Sequence, residues 1–246
     1  MQLLVVGAGE MGRWFARSSG ADEVAFADRD RAVAEAAADA LAETTPSRAV
    51  PLDGDERFDA VCLAVPMNTI PGAVAEHADR ATEAVVDVSG EMRDSVAALR
   101  EHAEGRERAS FHPLFSASNA PGNVPVVVDE DGPVVASIRE TLSAAGNEVF
   151  ETTPAEHDRA METVQAKAHT AVLAYALAGD DVDPRFHTTL SAPLGDLVAQ
   201  VVDGTPEVYA DIQDRYDGSE AVAEAARTLA DADREAFVDL YEDAGR

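Results

Sequence analysis

Two histidines occupy positions where a base could act on a bound substrate. His112 directly follows a predicted strand at residues 109–111, and α/β sheets do their chemistry at the carboxyl ends of strands. His169 lies on a predicted helix at residues 155–178. A neutral imidazole with an ordinary pKa of about 6.5 can accept a proton at neutral pH. A histidine at residue 112 could therefore serve as a general base that titrates near neutrality. The alternative is a structural histidine held by backbone carbonyls.

The predicted helix carries two more polar side chains near His169. His157 precedes His169 by twelve residues, which places the two within about 120° of each other around a helix. Gln165 precedes His169 by four residues and shares its face. The three side chains could line a substrate pocket, although a single histidine on a helix is more often an ordinary residue. The alternative is that they are ordinary surface or core residues of a helix.

A glycine-rich turn follows the first predicted strand. It consists of Gly7-Ala8-Gly9-Glu10-Met11-Gly12. Glycines at these spacings permit a tight turn, close approach of a pyrophosphate and close packing of helix on strand. The helix that begins here offers unpaired N–H groups to phosphates. We expect the six residues to bind a dinucleotide.

The next predicted strand ends at Asp28, 21 residues after Gly7. A carboxylate there accepts hydrogen bonds from the adenosine ribose and repels a 2′-phosphate, which favours NAD over NADP. The neighbouring Arg29 and Arg31 keep NADP open as the alternative. Val65 and Pro66 end a later strand, and we expect them to line the nicotinamide side. Pro66 could instead serve only to stop the strand.

Strand and helix patterns alternate as far as residue 150. Short apolar runs predict strands at residues 3–6, 23–27, 60–65, 84–88, 109–111, 124–128 and 148–150, with helical patterns between them. This alternation predicts an α/β Rossmann domain with a doubly wound, mostly parallel sheet at residues 1–152. After Pro154 only helical patterns remain. We expect an all-α C-terminal domain at residues 153–246 that binds substrate and forms the dimer contact.

The composition is strongly acidic. The 246 residues include 47 Asp and Glu against 19 Lys and Arg, a net charge of −28, and Lys167 is the sole lysine. Such a balance argues against nucleic acid and anionic membranes as partners and favours a protein of a saline cytoplasm. An ordinary acidic enzyme is the alternative. We expect a cytoplasmic protein without a metal site, because no targeting segment or metal-ligand pattern is visible. Cys62 lies in an apolar run and is expected to be a core residue.

The sequence resembles the prephenate and arogenate dehydrogenases of tyrosine biosynthesis over nearly its whole length. The resemblance lies in the glycine turn, His112-Pro113-Leu114-Phe115, Glu156-His157-Asp158 with His169 twelve residues later, Gln165-Ala166, Leu190-Ser191-Ala192-Pro193 and Glu207-Val208-Tyr209-Ala210-Asp211-Ile212. Their order and spacing together are specific, whereas each alone is modest.

The resemblance implies NAD-dependent oxidative decarboxylation of prephenate to 4-hydroxyphenylpyruvate. In such enzymes the ring C4 hydrogen leaves as hydride, the ring carboxylate leaves as CO2, and the ring becomes aromatic. The histidine matching His112 accepts the C4 hydroxyl proton, Ser89 matches a serine near it, and His169 touches substrate. The resemblance also implies a homodimer. Arogenate dehydrogenation, another small-molecule Rossmann oxidoreductase, and a non-catalytic NAD-binding regulator are the alternatives.

Two departures from the family pattern concern charge. The run from Asp87 to Arg93 matches Asp-x-x-Ser-x-Lys only if one residue is skipped, and the lysine is missing. Gln200 stands where the family has a substrate-binding arginine. A substrate with two carboxylates needs a cation, and Arg215, Arg185 and Lys167 are the candidates.

Overall fold

The computed structural model describes residues 1–180 and 182–246. The chain forms two compact units, Met1–Asp158 and Arg159–Arg246. The division between these units falls a few residues after the expected domain boundary. Each unit is described separately below.

The first unit is built on one sheet of eight strands. These are β1 (Gln2–Val6), β2 (Glu23–Ala27), β3 (Ser47–Ala49), β4 (Phe58–Leu63), β5 (Ala81–Val88), β6 (Glu107–Phe111), β7 (Asn123–Glu130) and β8 (Glu148–Glu151). Their spatial order is β3-β2-β1-β4-β5-β6-β7-β8. Every neighbouring pair is parallel except β6 and β7. The predicted mostly parallel sheet is therefore confirmed.

Five helices accompany this sheet. They are α1 (Glu10–Ser18), α2 (Arg31–Leu41), α3 (Ile70–His77), α4 (Arg93–His102) and α5 (Pro133–Ala144). Alternate residues of β1 enter two different core clusters, with Leu3 and Val5 in one and Leu4 and Val6 in the other. A strand buried on both faces reads as a continuous apolar run, which is why the strands were visible in the sequence. Cys62 of β4 is fully buried, as expected.

The described residues of the second unit contain helices and no strand. Helix α6 (Pro154–Met161) begins in the first unit and leads through a π-helical segment, Glu162–Lys167, into α7 (Ala168–Ala178). After these come α8 (Ser191–Val202), α9 (Pro206–Arg215), α10 (Ser219–Asp231) and α11 (Arg234–Ala244). No helix in the described part of the chain is both long and apolar enough to cross a membrane.

The prediction of one uninterrupted α-helix at residues 155–178 is wrong in its middle. The side-chain amide of Gln213 donates a hydrogen bond to the carbonyl oxygen of Ala166 inside the π segment, at 3.1 Å. Gly218 approaches the same turn so closely that a Cβ atom there would lie 2.5 Å from Cβ of Ala166. Both contacts come from residues distant in sequence. Short π segments of this kind are frequent at functional sites.

Candidate active site

The glycine turn between β1 and α1 contains glycines of two kinds. Gly7 has a φ of +95°, and a Cβ atom there would lie 2.3 Å from the carbonyl oxygen of Ala64. A Cβ atom on Gly12 would lie 2.0 Å from the carbonyl oxygen of Gly7. The fold itself therefore requires glycine at both positions.

Gly9 is different, because a Cβ atom there would meet nothing within 4 Å. It is the N-cap of α1, and no side chain caps that helix terminus. Open space beside the N–H groups of a helix N-terminus accommodates a pyrophosphate, which a side chain at this position would obstruct. The turn therefore fits a dinucleotide.

Asp28, directly after β2, supports the glycine turn. Its Oδ2 accepts a hydrogen bond from the backbone N–H of Ala8 at 2.8 Å, and its Oδ1 accepts one from that of Asp30 at 3.0 Å. Each carboxylate oxygen can accept a further bond. Asp28 can thus hold the turn and still bind ribose hydroxyls, while the adjacent Arg29 is exposed.

The other expected cofactor residues surround this turn. The Glu10 carboxylate accepts the backbone N–H of Ala117 at 2.7 Å, and Met11 packs against the core. Val65 is partly buried and Pro66 is exposed in the loop after β4. Strands β1, β2 and β4 are neighbours and parallel, so the segments that follow them lie at one edge of the sheet.

His112 lies at the same edge, directly after β6. Its backbone N–H donates to the carbonyl oxygen of Pro125 at 3.0 Å. Its Nδ1 is 2.8 Å from Nε2 of His157, and Nδ1 of His157 is 2.9 Å from Oδ1 of Asp158. All three side chains are buried, and they form one continuous chain of hydrogen bonds.

The direction of the hydrogen bonds follows from Asp158. Burial tends to raise the pKa of this carboxyl, but the hydrogen bonds from His157 and Met92 and the charge of Arg93 outweigh burial and lower the pKa. Asp158 is therefore ionised and only accepts, so His157 donates from Nδ1. In a neutral His157, Nε2 then accepts from Nδ1–H of His112. The lone pair of His112 lies on Nε2.

The protonation of His112 differs from the expectation. Burial lowers the pKa of His112 to about 3, although the charge of Asp158 acts in the opposite direction. The expected titration near neutrality is therefore wrong, because the sequence did not show that this side chain is removed from water. His112 is neutral over the whole physiological range.

Ser89 follows β5, the strand beside β6. It is buried, its N–H donates to the carbonyl oxygen of Phe111 at 3.0 Å, and its Oγ accepts the N–H of Glu91 at 3.2 Å. The next residue, Gly90, lies against the catalytic candidate, since a Cβ atom there would be 3.6 Å from Nε2 of His112. The segment after β5 and His112 are thus neighbours.

The remaining candidates belong to the second unit. The His169 ring meets that of Tyr209 edge to face with 4.8 Å between centroids, and its buried Nδ1 has no hydrogen-bond partner among the described residues. Burial lowers the pKa of His169. Gln165 is partly buried in the π segment, and Arg215 is exposed at the end of α9.

Two other residues bear on the search for a substrate cation. Arg185 is exposed and ion-paired with Asp183, whose carboxylate accepts from both Nε and Nη2 of the guanidinium. Gln200 is exposed on α8. Across residues 1–180 and 182–246, no group of three or more His, Cys, Asp or Glu side chains could hold a metal ion.

The sequence interpretation gave no role to Asp158 or Tyr209. Asp158 adjoins His157, and a carboxylate next to a histidine is a common means of orienting an imidazole. That adjacency was a usable signal. Tyr209 had no comparable signal, because its contact with His169 joins α9 to α7.

No protein-family model matches the sequence. A 4-amino-4-deoxyprephenate dehydrogenase of Streptomyces pristinaespiralis is 31% identical over 243 residues, which cover 91% of this chain and 80% of that protein. The chain belongs to the prephenate dehydrogenase family.

Solved members of the prephenate dehydrogenase family share the fold. The prephenate dehydrogenase of Aquifex aeolicus, solved with hydroxyphenyl propionate and NAD+, superposes with a TM-score of 0.72 at 17% identity, covering 98% of this chain and 92% of that one. Arogenate dehydrogenase of Synechocystis gives 0.62 at 19% identity, covering 94% and 90%.

Proposed function

We propose that this protein catalyses NAD-dependent oxidative decarboxylation of prephenate to 4-hydroxyphenylpyruvate. The observation that carries the proposal is the neutral His112, whose Nε2 lone pair lies at the sheet edge that also holds the glycine turn. The reaction removes a hydride from a ring carbon and a proton from the hydroxyl on that carbon. It therefore requires a dinucleotide site and a base close together, as at this edge.

His112 is the proposed base. Its Nε2 accepts the proton of the C4 hydroxyl while the C4 hydrogen leaves as hydride, which gives a ring ketone. Loss of CO2 from C1 then returns an electron pair to the ring, and the aromatic oxygen takes the proton back from Nε2. No second acid is needed, because the proton that His112 accepts is the one that it returns. We propose that Ser89 helps position the reacting hydroxyl.

NAD bound at the glycine turn would supply the hydride acceptor. Gly7, Gly9 and Gly12 shape the turn and Asp28 holds it, with a carboxylate that disfavours the 2′-phosphate of NADP. We also assign Ala8, Glu10, Met11, Arg29, Val65 and Pro66 to this site. NADP is the less favoured alternative because Arg29 is exposed beside Asp28.

In the helical unit we propose that Gln165 and His169 contact the substrate, His169 through the buried Nδ1 that has no hydrogen-bond partner among the described residues. Arg215 is our choice for a substrate carboxylate. Arg185 is the alternative guanidinium. A guanidinium also binds a carboxylate in bidentate geometry, which the Lys167 ammonium does not.

A substrate with an amino group at C4 is the second candidate, because the relative from Streptomyces pristinaespiralis is a 4-amino-4-deoxyprephenate dehydrogenase. A C4 amine can also donate a hydrogen bond to the Nε2 lone pair of His112. Arogenate, which differs from prephenate in the side chain away from C4, remains a third candidate.

The deciding experiment measures NADH absorbance with prephenate, arogenate and 4-amino-4-deoxyprephenate, each with NAD and with NADP, at several KCl concentrations. The proposal expects the highest kcat/KM for prephenate with NAD. A higher kcat/KM for the amino compound would assign the second function. NAD binding without turnover of any substrate would instead indicate a regulator.

We further propose that residues 153–246 form a dimerisation domain. Helix α7 is apolar on all sides, yet none of its residues is buried within one chain, and Leu177 is 87% exposed. A helix of this kind is normally covered, and a second copy of the chain is the partner we propose. The net charge of −28 also leads us to propose a protein of a saline cytoplasm, whose activity rises with KCl.

A further inference from the structure

His157 was expected to bind substrate, but both of its ring nitrogens face protein atoms. Nε2 faces Nδ1 of His112 at 2.8 Å, and Nδ1 faces Oδ1 of Asp158 at 2.9 Å. The residue is only 3% exposed. An imidazole has two hydrogen-bonding atoms, so a substrate contact would break one of these bonds.

Asp158 is itself held in place from two sides. Its Oδ1 also accepts the backbone N–H of Met92 at 3.2 Å, next to the N-terminus of α4. Its Oδ2 lies 3.9 Å from Nε of Arg93, whose side chain is largely exposed. His112, Arg93 and the backbone amide of Met92 are the titratable, charged or polar groups that contact the His157–Asp158 pair among the described residues.

We propose that His157 and Asp158 are positioning residues that fix the lone pair of His112 on Nε2 and take over the positive charge when Nε2 is protonated. Without an acceptor behind Nδ1, the His112 proton could occupy either nitrogen, and one of the two tautomers cannot act as a base. The inference rests on the proposed function for its catalytic meaning.

The proton movements balance along the chain of hydrogen bonds. As the substrate O–H bond breaks, its proton bonds to Nε2 of His112, and the Nδ1 proton of His112 moves to Nε2 of His157. The positive charge then lies on His157, whose Nδ1–H still donates to ionised Asp158. Both transfers reverse when the aromatic oxygen takes a proton back. A buried imidazolium beside a carboxylate is better stabilised than one without such a partner.

The test uses the full-length chain with three site variants. H157Q keeps an acceptor for Nδ1–H of His112 but cannot hold the extra proton. H157F removes both functions. D158N removes only the negative charge of the Asp158 carboxylate. Asp129→Asn is the matched control, because Asp129 is a buried carboxylate ion-paired with Arg100 and Arg108 in the same unit, away from His112.

We expect kcat to fall about tenfold in H157Q and about a hundredfold or more in H157F and D158N, as for a displaced catalytic imidazole. KM and the NAD Kd should stay within about threefold, since neither residue is assigned to a ligand. The Asp129→Asn control should lose thermal stability while keeping kcat. A kcat within about threefold of wild type in D158N or H157F overturns the proposal.

A second readout needs no turnover. Nitrogen-15 NMR of histidine-labelled protein should show the His112 proton on Nδ1 in wild type and in H157Q, and a mixture of tautomers in H157F. A proton found on Nε2 in wild type overturns the proposal even if the enzyme is active. If no substrate turns over but the Nδ1 tautomer is present, the proposed function fails and the positioning role stands.

Discussion

A Cβ atom on Gly12 would lie 2.0 Å from the carbonyl oxygen of Gly7, whereas one on Gly9 would meet nothing within 4 Å. Gly12→Ala should therefore lower the free energy of unfolding by about 1–3 kcal/mol through overpacking. Gly9→Ala should melt like wild type but bind NAD at least about tenfold more weakly. Thermal melts and NAD titrations of both variants check this. Normal NAD affinity in Gly9→Ala would remove the glycine turn from the cofactor site.

Asp28 should set the preference for NAD. Asp28→Asn keeps an oxygen that can accept the N–H of Ala8 but removes the charge that repels a 2′-phosphate. The ratio of kcat/KM for NAD over NADP should fall by about tenfold or more, corresponding to about 1.4 kcal/mol. Steady-state kinetics with both cofactors measure the ratio. A wild-type preference for NADP would contradict the assignment and direct attention to Arg29.

Removing the base should affect the chemical step more than binding. His112→Asn should lower kcat by roughly 10²–10⁴-fold, while the NAD Kd changes little and KM rises modestly. The melting temperature separates this from a structural role, because a structural histidine would cost stability together with activity. A variant that keeps more than about a tenth of the wild-type kcat would exclude His112 as the base and make His169 the next candidate.

The pH profile should reflect burial of the base. His112 must be neutral to accept a proton, and burial lowers its pKa to about 3, so activity is retained above that pH and is lost as the pH falls through it. We therefore expect a plot of kcat/KM against pH to show no rise caused by ionisation of His112 between about pH 5 and 8. A limb near pH 6.5 that vanishes in His112→Asn would refute this.

The apolar helix α7 should be covered by a second copy. Light scattering in high salt should give twice the chain mass of 25.9 kDa. Leu177→Glu places a charge at the 87% exposed position on this helix and should shift the mass toward the monomer. Phe150→Glu, at a 43% exposed position on β8, is the control and should remain dimeric. A wild-type mass near that of one chain would argue against the dimer.

Much of the fold could be predicted because its signals are local. Strand β2 has the bounds that the sequence predicted, since its apolar run extends from its second residue to its last. Strand β3 was not predicted. It has three residues, its Arg48 is exposed, and it pairs with β2 at the edge of the sheet, so no apolar run marks it.

The candidate site was predictable only in part. The glycine turn and His112 are marked by what precedes them in sequence, whereas the contact of His112 with His157 joins residues 45 apart. It depends on where β6 ends and α6 begins in space, and neither hydropathy nor spacing contains that distance. The lowered pKa of His112 follows from the same burial. The π segment likewise depends on Gln213 and Gly218, far along the chain.

Cys62 is the sole thiol of the sequence and lies in the middle of the sheet, on β4, with no exposed surface. The Cys62 thiol can therefore report on transient opening of the core. An alkylating reagent can reach this sulfur only when the residues packed over this face of the sheet move away, so the rate of labelling measures how often the core opens. Following that rate as KCl is withdrawn would show how the mutual repulsion of the surface carboxylates loosens the core, without any added dye or engineered label.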